Sequence, residues 1–325
     1  MKAIVFDNPG DEGVLHLGEA PAPKLGPGEI RIRVRATAVN RADLLQRQGM
    51  YPPPPGASEI LGLECAGEVS EVGVDVDGWR VGDRVMALLP GGGYAEEAVV
   101  HQGSAMHVPK ALSWEEAGAL PEVFLTAYLN LFMLGGATSG GTALVQGGGS
   151  GVGTAAITLL REAGLRTIVT AGNPEKCQRC RQHGADVAIN YRDGDFSEAV
   201  RKATDGRGVD VILDHVGGKY LAMNLDCLAV DGRLVIIGLI GGAKADINLA
   251  MLLTRRLQVV GSTLRTRSNA DKAKIVAYFM SQFGEALSAG RIKPVIDRVL
   301  PLSEAAEAHR VVQSSAHFGK VVLKV

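Results

Sequence analysis

The sequence has few of the features that mark secreted, membrane-bound or nucleic-acid-binding proteins. No apolar stretch is long enough to span a bilayer, and the first residues lack the apolar core of a signal peptide. The formal net charge of the 325 residues is −1, and acidic and basic residues are interspersed, so we expect no basic surface for nucleic acid or a membrane. The sequence therefore predicts a protein of the cytoplasm that binds neither.

Cysteine is also scarce, with four residues in the chain. Cys177 and Cys180 form a C-x-x-C motif, but Cys65 and Cys227 are far apart and do not supply the second close pair that a zinc knuckle needs. The motif falls on a predicted helix after a second strand, whereas a thioredoxin motif opens the helix after the first strand. We interpret these residues as incidental thiols rather than as a redox pair.

Glycine is abundant by contrast, and the segment Thr142–Lys176 uses it in the most informative way. A short apolar run, 143–145, leads into a turn with five glycines and one serine. The residues after the turn form an apolar stripe with helical spacing: Val152, Ala155, Ala156, Leu159, Leu160 and Ala163. A glycine turn between a strand and a helix directs backbone N–H groups and the positive end of the helix dipole at one place. This pattern predicts a pyrophosphate site.

The end of the next predicted strand, 167–170, indicates which dinucleotide binds. NAD-specific sites place Asp or Glu there, about 20 residues after the glycine turn, to bind the ribose 2′-hydroxyl. Here Ala171, Gly172 and Asn173 follow the strand, and Lys176 lies one turn further on. A small neutral turn followed by a lysine would accept a 2′-phosphate that a carboxylate would repel. The sequence favours NADPH over NADH.

The chain changes its periodicity twice, which indicates two domains. Residues 1–120 contain short β-prone segments separated by Pro and Gly turns, whereas strands and helices alternate from about 121. The β-prone tail 319–325 needs a sheet to join, and the N-terminal β-rich region is the expected host. We therefore predict a discontinuous first domain, 1–120 and 266–325, and a second domain, 121–265, with a six-stranded parallel sheet of the Rossmann type.

Four motifs together resemble a known family across essentially the whole chain. They are NRADLLQRQGMYPPPPG at 40–56, LGLECAGEV at 61–69, LPEVFLTAYLNL at 120–131 and GSGVGTAAI at 149–157. The chain resembles the zinc-free quinone oxidoreductase branch of the medium-chain dehydrogenase/reductase superfamily. The resemblance implies an α/β fold in which a Rossmann nucleotide-binding domain is inserted into a β-rich, GroES-like catalytic domain.

The sequence departs from the zinc alcohol dehydrogenases at the positions that hold their catalytic zinc. Those enzymes have a Cys near Asn40 and a His at the position of Leu63, and an amide is a poor zinc ligand and leucine none. We therefore predict no metal site. Without a Lewis acid, alcohol oxidation is disfavoured, whereas a quinone needs little electrophilic help. The resemblance implies direct hydride transfer from NADPH to a quinone, of which an ortho-quinone is the expected type.

The resemblance also implies which residues bind the cofactor. The pyrophosphate is expected at Gly148, Ser150, Gly151, Val152 and Gly153. The Ser150 hydroxyl either donates to a phosphate or caps the helix. Gly172 and Lys176 are expected at the 2′-phosphate, and Tyr191 near the adenosine. The nicotinamide is expected near Thr126, Gly238, Leu239, Ile240, Leu264 and Phe318.

Three residues are candidates for the substrate side. Tyr51 would donate a hydrogen bond or proton to the nascent oxyanion, or it is a packing ring. Asn40 would hold the nicotinamide ribose or a quinone oxygen. Asp43 is either catalytic, a helix N-terminal charge or a member of a structural pair.

Two other functions share these features. One is an NADPH-dependent enone or enoyl-thioester reductase, for which Arg265 and Arg267 are the candidate anchors of a phosphate-bearing handle. The other is an NADPH-binding structural or regulatory protein without turnover. The apolar last strand predicted at 257–263 would form a sheet edge, and family members commonly pair there, so we expect a homodimer.

Overall fold

The computed structural model describes residues 1–325 as two compact units. The first contains Met1–Leu125 and Leu264–Val325, and the second contains Thr126–Thr263. No helix is long and apolar enough to cross a membrane. Because the second unit lies between the two segments of the first, the chain leaves the first unit once and returns to it.

Fifteen strands and ten α-helices make up the two units. In chain order the strands are β1 Lys2–Val5, β2 His16–Glu19, β3 Glu29–Ala38, β4 Glu64–Val72, β5 Arg84–Leu88, β6 Glu97–His101, β7 Ala105–His107, β8 Thr142–Val145, β9 Arg166–Ala171, β10 Val187–Asn190, β11 Val209–Asp214, β12 Leu228–Ile236, β13 Gln258–Gly261, β14 Ile296–Pro301 and β15 Lys320–Lys324. The helices are α1 Arg41–Arg47, α2 Trp114–Gly118, α3 Pro121–Tyr128, α4 Gly151–Glu162, α5 Pro174–His183, α6 Phe196–Ala203, α7 Leu221–Cys227, α8 Leu249–Arg255, α9 Asn269–Ser288 and α10 Ala305–Ser314.

A seven-stranded sheet forms the centre of the first unit. Its order is β14-β15-β3-β4-β5-β7, and β6 also pairs with β3. Alternate residues of β3 point inward, so that Ile30, Ile32 and Val34 join the buried core. The C-terminal strand β15 pairs antiparallel with β3, with Val322 opposite Ala38. The prediction that the tail joins the N-terminal β-region is confirmed.

The second unit contains a six-stranded sheet in the order β10-β9-β8-β11-β12-β13, and every pair is parallel. Counted within this unit, the order is 3-2-1-4-5-6, which is that of the Rossmann fold. The strand order reverses at β8, and ligands of such sheets bind beyond the carboxyl ends of the strands at that point. The glycine turn follows β8 and therefore occupies this position.

One strand of the second unit begins earlier than the sequence predicts. The residue pattern predicts a strand at 233–237, whereas β12 starts at Leu228 and ends at Ile236. Asp231 has a φ of 65° and precedes Gly232, which is a turn signal in the sequence. The pairing of β12 with β11 shifts register between Val209 and Val211, so the turn is accommodated as an irregularity within one strand.

The packing of α4 against the glycine turn requires glycine at two positions. A Cβ added to Gly153 would lie 2.3 Å from the Gly147 carbonyl oxygen and 2.7 Å from the Gly148 Cα. A Cβ at Gly148 would lie 2.7 Å from the Val169 Cβ in β9. The atoms that these added Cβ groups would meet belong to the backbone and to a β-branched side chain, which cannot rotate out of the way. A side chain at either position would therefore move the glycine turn or α4 away from β9.

We therefore predict that Gly153→Ala destabilises the protein by about 1–3 kcal/mol, the usual cost of overpacking. The matched control is Gly284→Ala on α9, where a Cβ would meet only the flexible end of Met280 at 3.3 Å. That variant should be neutral or stabilising by up to about 1 kcal/mol, because alanine is the better helix former. Thermal unfolding by calorimetry compares the two, and equal midpoints would contradict the prediction.

Candidate active site

The glycine turn is closed by a serine cap. Ser150 is the N-cap of α4, and its hydroxyl oxygen accepts from the Gly153 N–H at 3.0 Å. The same hydroxyl donates to the Gly147 carbonyl at 2.8 Å. Both roles of the hydroxyl are satisfied within the turn, so the geometry favours the capping alternative for Ser150 over donation to a phosphate.

Three backbone donors at this turn remain without a protein acceptor: the N–H groups of Gly149, Gly151 and Val152. The Gly148 N–H, in contrast, donates to the Thr170 carbonyl at 2.8 Å. Free N–H groups at a helix N-terminus, together with the helix dipole, form an anion site. Of the predicted pyrophosphate residues, Gly151 and Val152 offer donors, and Gly148 and Gly153 allow close approach. Gly149 was missed.

The end of β9 carries the residues predicted for the 2′-phosphate. Asn173 caps α5 by accepting from the Lys176 N–H at 2.7 Å, which places Lys176 in the first helical turn. A Cβ added to Gly172 would lie 2.6 Å from the Tyr191 hydroxyl, and Tyr191 is 37% exposed. The structure thus brings Gly172 and Tyr191 together beside the start of α5. No carboxylate occupies positions 171–173.

The segment predicted to face the nicotinamide leaves apolar side chains uncovered. Leu239 and Ile240 follow β12 and are 55% and 63% exposed. The Ile240 N–H donates to the His215 carbonyl at 3.2 Å, and a Cβ added to Gly238 would lie 2.9 Å from the same oxygen. The backbone of this loop is therefore held against His215, which follows β11, and its apolar side chains Leu239 and Ile240 are exposed.

The other three residues predicted near the nicotinamide are buried. Thr126 lies on α3 and is 9% exposed, and its carbonyl accepts from the Asn130 side chain at 2.7 Å. Leu264 and Phe318 are 6% and 3% exposed and belong to the first unit. Their contact with a cofactor stays a prediction.

Asn40 belongs to a buried polar cluster that sequence analysis missed. Its side-chain amide donates to Glu64 Oε1 at 2.9 Å, and its oxygen accepts from Lys320 Nζ at 2.6 Å. Lys320 also forms an ion pair with Glu64 Oε1 at 2.7 Å, and both side chains are almost fully buried. Glu64 lies on β4 and Lys320 on β15. Asn40 is therefore held by two charged partners on neighbouring elements.

Asp43 is entirely buried, and its carboxylate accepts hydrogen bonds from three groups of the protein. Its carboxylate accepts from the Asn40 N–H at 2.8 Å, from the Gly62 N–H at 3.1 Å and from the Tyr94 hydroxyl at 3.2 Å. Burial raises its pKa to about 6 against the effect of these hydrogen bonds. With no exposed surface, Asp43 fits the helix-terminal alternative of the sequence prediction. We assign it a positioning role, not contact with a substrate.

Tyr51 is half-buried, and Arg265 fixes the chain around it. The Arg265 guanidinium lies 5.3 Å from the Tyr51 ring and donates to the Tyr51 carbonyl at 3.3 Å. It also donates to the Pro90 carbonyl at 2.8 Å and to Gln46 Oε1 at 2.7 Å. Burial raises the pKa of Tyr51, so its phenol is neutral and can donate. Arg265 is committed to protein acceptors, which argues against its use as a phosphate anchor.

The side chains around Asn40 are not a metal-ligand set. No group of three or more His, Cys, Asp or Glu side chains is placed to hold a metal ion. Leu63 is 1% exposed within the apolar interior. Cys177 and Cys180 are buried on α5, and burial raises both thiol pKa values, to about 12 for Cys180. A raised pKa disfavours the reactive thiolate, in keeping with incidental thiols.

Comparison with known proteins places this arrangement in a family. Residues 26–110 match the alcohol dehydrogenase GroES-like domain, and residues 151–279 match the zinc-binding dehydrogenase family. The chain is 34% identical to the quinone oxidoreductase of Pseudomonas aeruginosa over 324 residues, which covers 99% of each protein.

Solved structures also cover the whole chain, among them the following two. The quinone oxidoreductase of Escherichia coli, complexed with NADPH, has 30% identity and a TM-score of 0.86, with 100% of both chains covered. An NAD-dependent alcohol dehydrogenase has 34% identity and a TM-score of 0.88, with the same coverage. The predicted fold class, a Rossmann domain inserted into a GroES-like domain, is confirmed. The chain belongs to the medium-chain dehydrogenase/reductase superfamily, with quinone oxidoreductases among its relatives.

Proposed function

We propose that this protein is an NADPH-dependent quinone reductase that transfers hydride directly from NADPH to a quinone, with ortho-quinones as the expected substrates. The observation that carries the proposal is the anion site at the start of α4, where three N–H groups have no protein acceptor. The NADPH-bound relative from Escherichia coli supports the choice of cofactor, and the quinone oxidoreductases of two bacteria support the reaction class.

The residues of the second unit fit NADPH. Gly149, Gly151 and Val152 would donate to the pyrophosphate, and Lys176 would bind the 2′-phosphate. Tyr191 would lie near the adenosine, and the loop with Leu239 and Ile240 would cover the nicotinamide. When bound, NADPH supplies the hydride; the protein orients the cofactor and excludes water.

The residues of the first unit would orient the quinone. Tyr51 has a neutral phenol that can donate to an oxygen on which negative charge develops. Asn40 is held by Glu64 and Lys320, so its position is fixed before the substrate arrives. A quinone suits this set because hydride addition yields an aromatic hydroquinone anion, which demands less electrophilic assistance than an alcohol–carbonyl exchange.

The proposed activity is tested by NADPH oxidation with an ortho-quinone, a para-quinone, a simple enone and an enoyl-coenzyme A, each repeated with NADH. We expect the quinones to turn over, with NADPH preferred. Turnover of the enoyl ester alone would establish the reductase class and reject the quinone. Tight NADPH binding without turnover of any acceptor would favour the structural or regulatory function.

Lys176→Ala should reduce the preference for NADPH over NADH. A hydrogen bond to a charged group is worth about 1.5–3 kcal/mol, so the ratio of the two kcat/KM values should fall by roughly 10- to 100-fold. The matched control is Lys202→Ala on α6, an exposed lysine of the same unit. An unchanged ratio in Lys176→Ala would remove this residue from the 2′-phosphate site.

Tyr51→Phe should lower quinone kcat/KM by on the order of tenfold, the value of one hydrogen bond in the transition state. The ring and its contact with Arg265 remain in this variant, so stability should change little. The control is Tyr278→Phe on α9, where the ring is 56% exposed. A fully active Tyr51→Phe enzyme would show that Tyr51 only packs against its neighbours.

We further propose a homodimer in the cytoplasm, paired through the edge of the Rossmann sheet. β13 is the edge strand, and Val259 on it is 38% exposed. The preceding helix α8 has no buried residue, and Leu249 and Leu253 on one of its faces are 68% and 80% exposed. Exposed apolar side chains on a helix that precedes a sheet-edge strand, whose outer side has no partner strand, are typical of a surface that another chain covers.

Leu253→Lys should weaken this association, because dimer formation would bury a charge among apolar groups. Sedimentation velocity should show a shift from dimer to monomer, with the circular dichroism spectrum of a folded protein retained. Val81→Lys is the control, since Val81 is 69% exposed in the first unit. A variant that stays dimeric would exclude this surface as the interface.

A further inference from the structure

Glu122 is a carboxylic acid that the proposed mechanism does not yet use. It follows Pro121 in the first turn of α3, and its backbone N–H donates to Glu64 Oε2 at 3.0 Å. The other oxygen of Glu64 accepts from Asn40 and Lys320. The backbone of Glu122 is therefore tied to the buried cluster that holds Asn40.

The side chain of Glu122 has charged neighbours but no hydrogen bond to the protein. Lys272 of α9 and Lys320 lie close enough to stabilise its negative charge, and Glu64 and Asp43 oppose it. Its charge in turn acts on Tyr51 and Arg265. Glu122 thus belongs to the same group of side chains as the two candidates for the substrate side, Tyr51 and Asn40.

Burial and the charge of Glu64 dominate this balance. They raise the pKa of Glu122 to about 8, although a helix N-terminus ordinarily favours the carboxylate. Glu122 is half-buried, whereas Glu64 and Asp43 are fully enclosed. Among the carboxyl groups of this cluster, Glu122 is the one that is protonated near neutral pH and keeps part of its surface exposed.

We propose that Glu122 is the proton donor that completes quinone reduction, an assignment that rests on the function proposed above. Hydride addition from NADPH carries two electrons to the quinone and leaves a hydroquinone monoanion and NADP⁺. The O–H bond of Glu122 then breaks, its proton goes to the anionic oxygen, and a Glu122 carboxylate remains. Water reprotonates that carboxylate before the next turnover. The sum is NADPH, quinone and one proton in, and NADP⁺ and hydroquinone out.

Glu122 suits this step better than the other groups of the cluster. The Tyr51 phenol is held above its ordinary pKa by burial, so it donates a hydrogen bond without losing its proton. General acids act best when their pKa lies near the operating pH. Thr126 follows Glu122 by four residues on α3, so both side chains lie on one face of this helix.

The test compares Glu122→Gln with wild type over quinones whose hydroquinone anions differ in basicity. We expect kcat/KM to fall by roughly 10²-fold for the most basic anions, the usual contribution of a general acid, and progressively less for acidic ones. Glu122→Asp should recover part of the rate. Glu198→Gln, which removes a carboxylate from the first turn of α6, is the matched control. An equal loss for every quinone, or none, would overturn the assignment.

The pH profile gives a second readout that a structural role would not change. Because the donor must be protonated, wild-type activity should be constant below its pKa and fall as the pH rises through about 8. Glu122→Gln should lack this fall. Lys272→Met leaves the acid in place and removes a charge that lowers its pKa, so the fall should move to higher pH. An alkaline limb that neither variant alters would reject Glu122 as the donor.

A binding measurement separates this inference from the function on which it rests. NADPH titration by fluorescence should give the same dissociation constant for Glu122→Gln and wild type. A wild-type protein that reduces no quinone would reject the proposed function itself. A wild-type protein that reduces quinones, together with a Glu122→Gln variant that retains its rate and pH profile, would reject only the proton donor.

Thermal unfolding at two pH values tests whether the Glu122 carboxyl group is protonated in the folded protein. The folded-state pKa of Glu122 lies above its ordinary 4.5, so its contribution to stability is complete below about 4.5 and is lost as the pH rises to about 8. Glu122→Gln should therefore unfold at a higher temperature than wild type at pH 9, and the difference should shrink at pH 5. A difference that is the same at both pH values would contradict the raised pKa.

Discussion

The buried ion pair between Glu64 and Lys320 is the interaction on which the first unit depends most. It joins β4 to the C-terminal strand β15, 256 residues later in the chain, with a distance of 2.7 Å. Glu64 also receives the Asn40 side chain and the first turn of α3, so one carboxylate connects two strands and the starts of two helices. Removing one partner of such a pair would leave a buried charge, at a cost of about 3–5 kcal/mol.

The Glu64 carboxylate also affects the ionisation of Glu122. A fixed negative charge beside Glu122 opposes its ionisation, and burial acts in the same direction. The charge of Lys320 only partly compensates, because Lys320 is already paired with Glu64 itself. An ion pair that holds the sheet together thus keeps a neighbouring acid protonated. The stability of the first unit and the pKa of Glu122 both depend on the charge of Glu64. A substitution at Glu64 would therefore change both.

Local patterns in the sequence were enough to predict the strand, glycine turn and helix of the candidate nucleotide site. The strand, glycine turn and helix lie within 35 consecutive residues, Thr142–Lys176, and neighbouring residues determine their geometry. The roles within the turn were harder to predict. The pattern alone did not show that Ser150 donates to Gly147, or that Gly149 keeps its N–H free, because both depend on the exact path of the backbone.

The substrate half could not be predicted in the same way, because long-range contacts create it. Asn40 and Tyr51 are predicted from a motif, but their partners Lys320 and Arg265 lie 280 and 214 residues away and carry no motif of their own. Glu122 is ordinary in sequence, an acid in a first helical turn, where ionisation is normally favoured. Only the fold places it beside Glu64 and reverses that preference. At neutral pH, a carboxyl group whose pKa is raised by folding lowers the free energy of unfolding. Because folding gains nothing from such a group, its presence points to function.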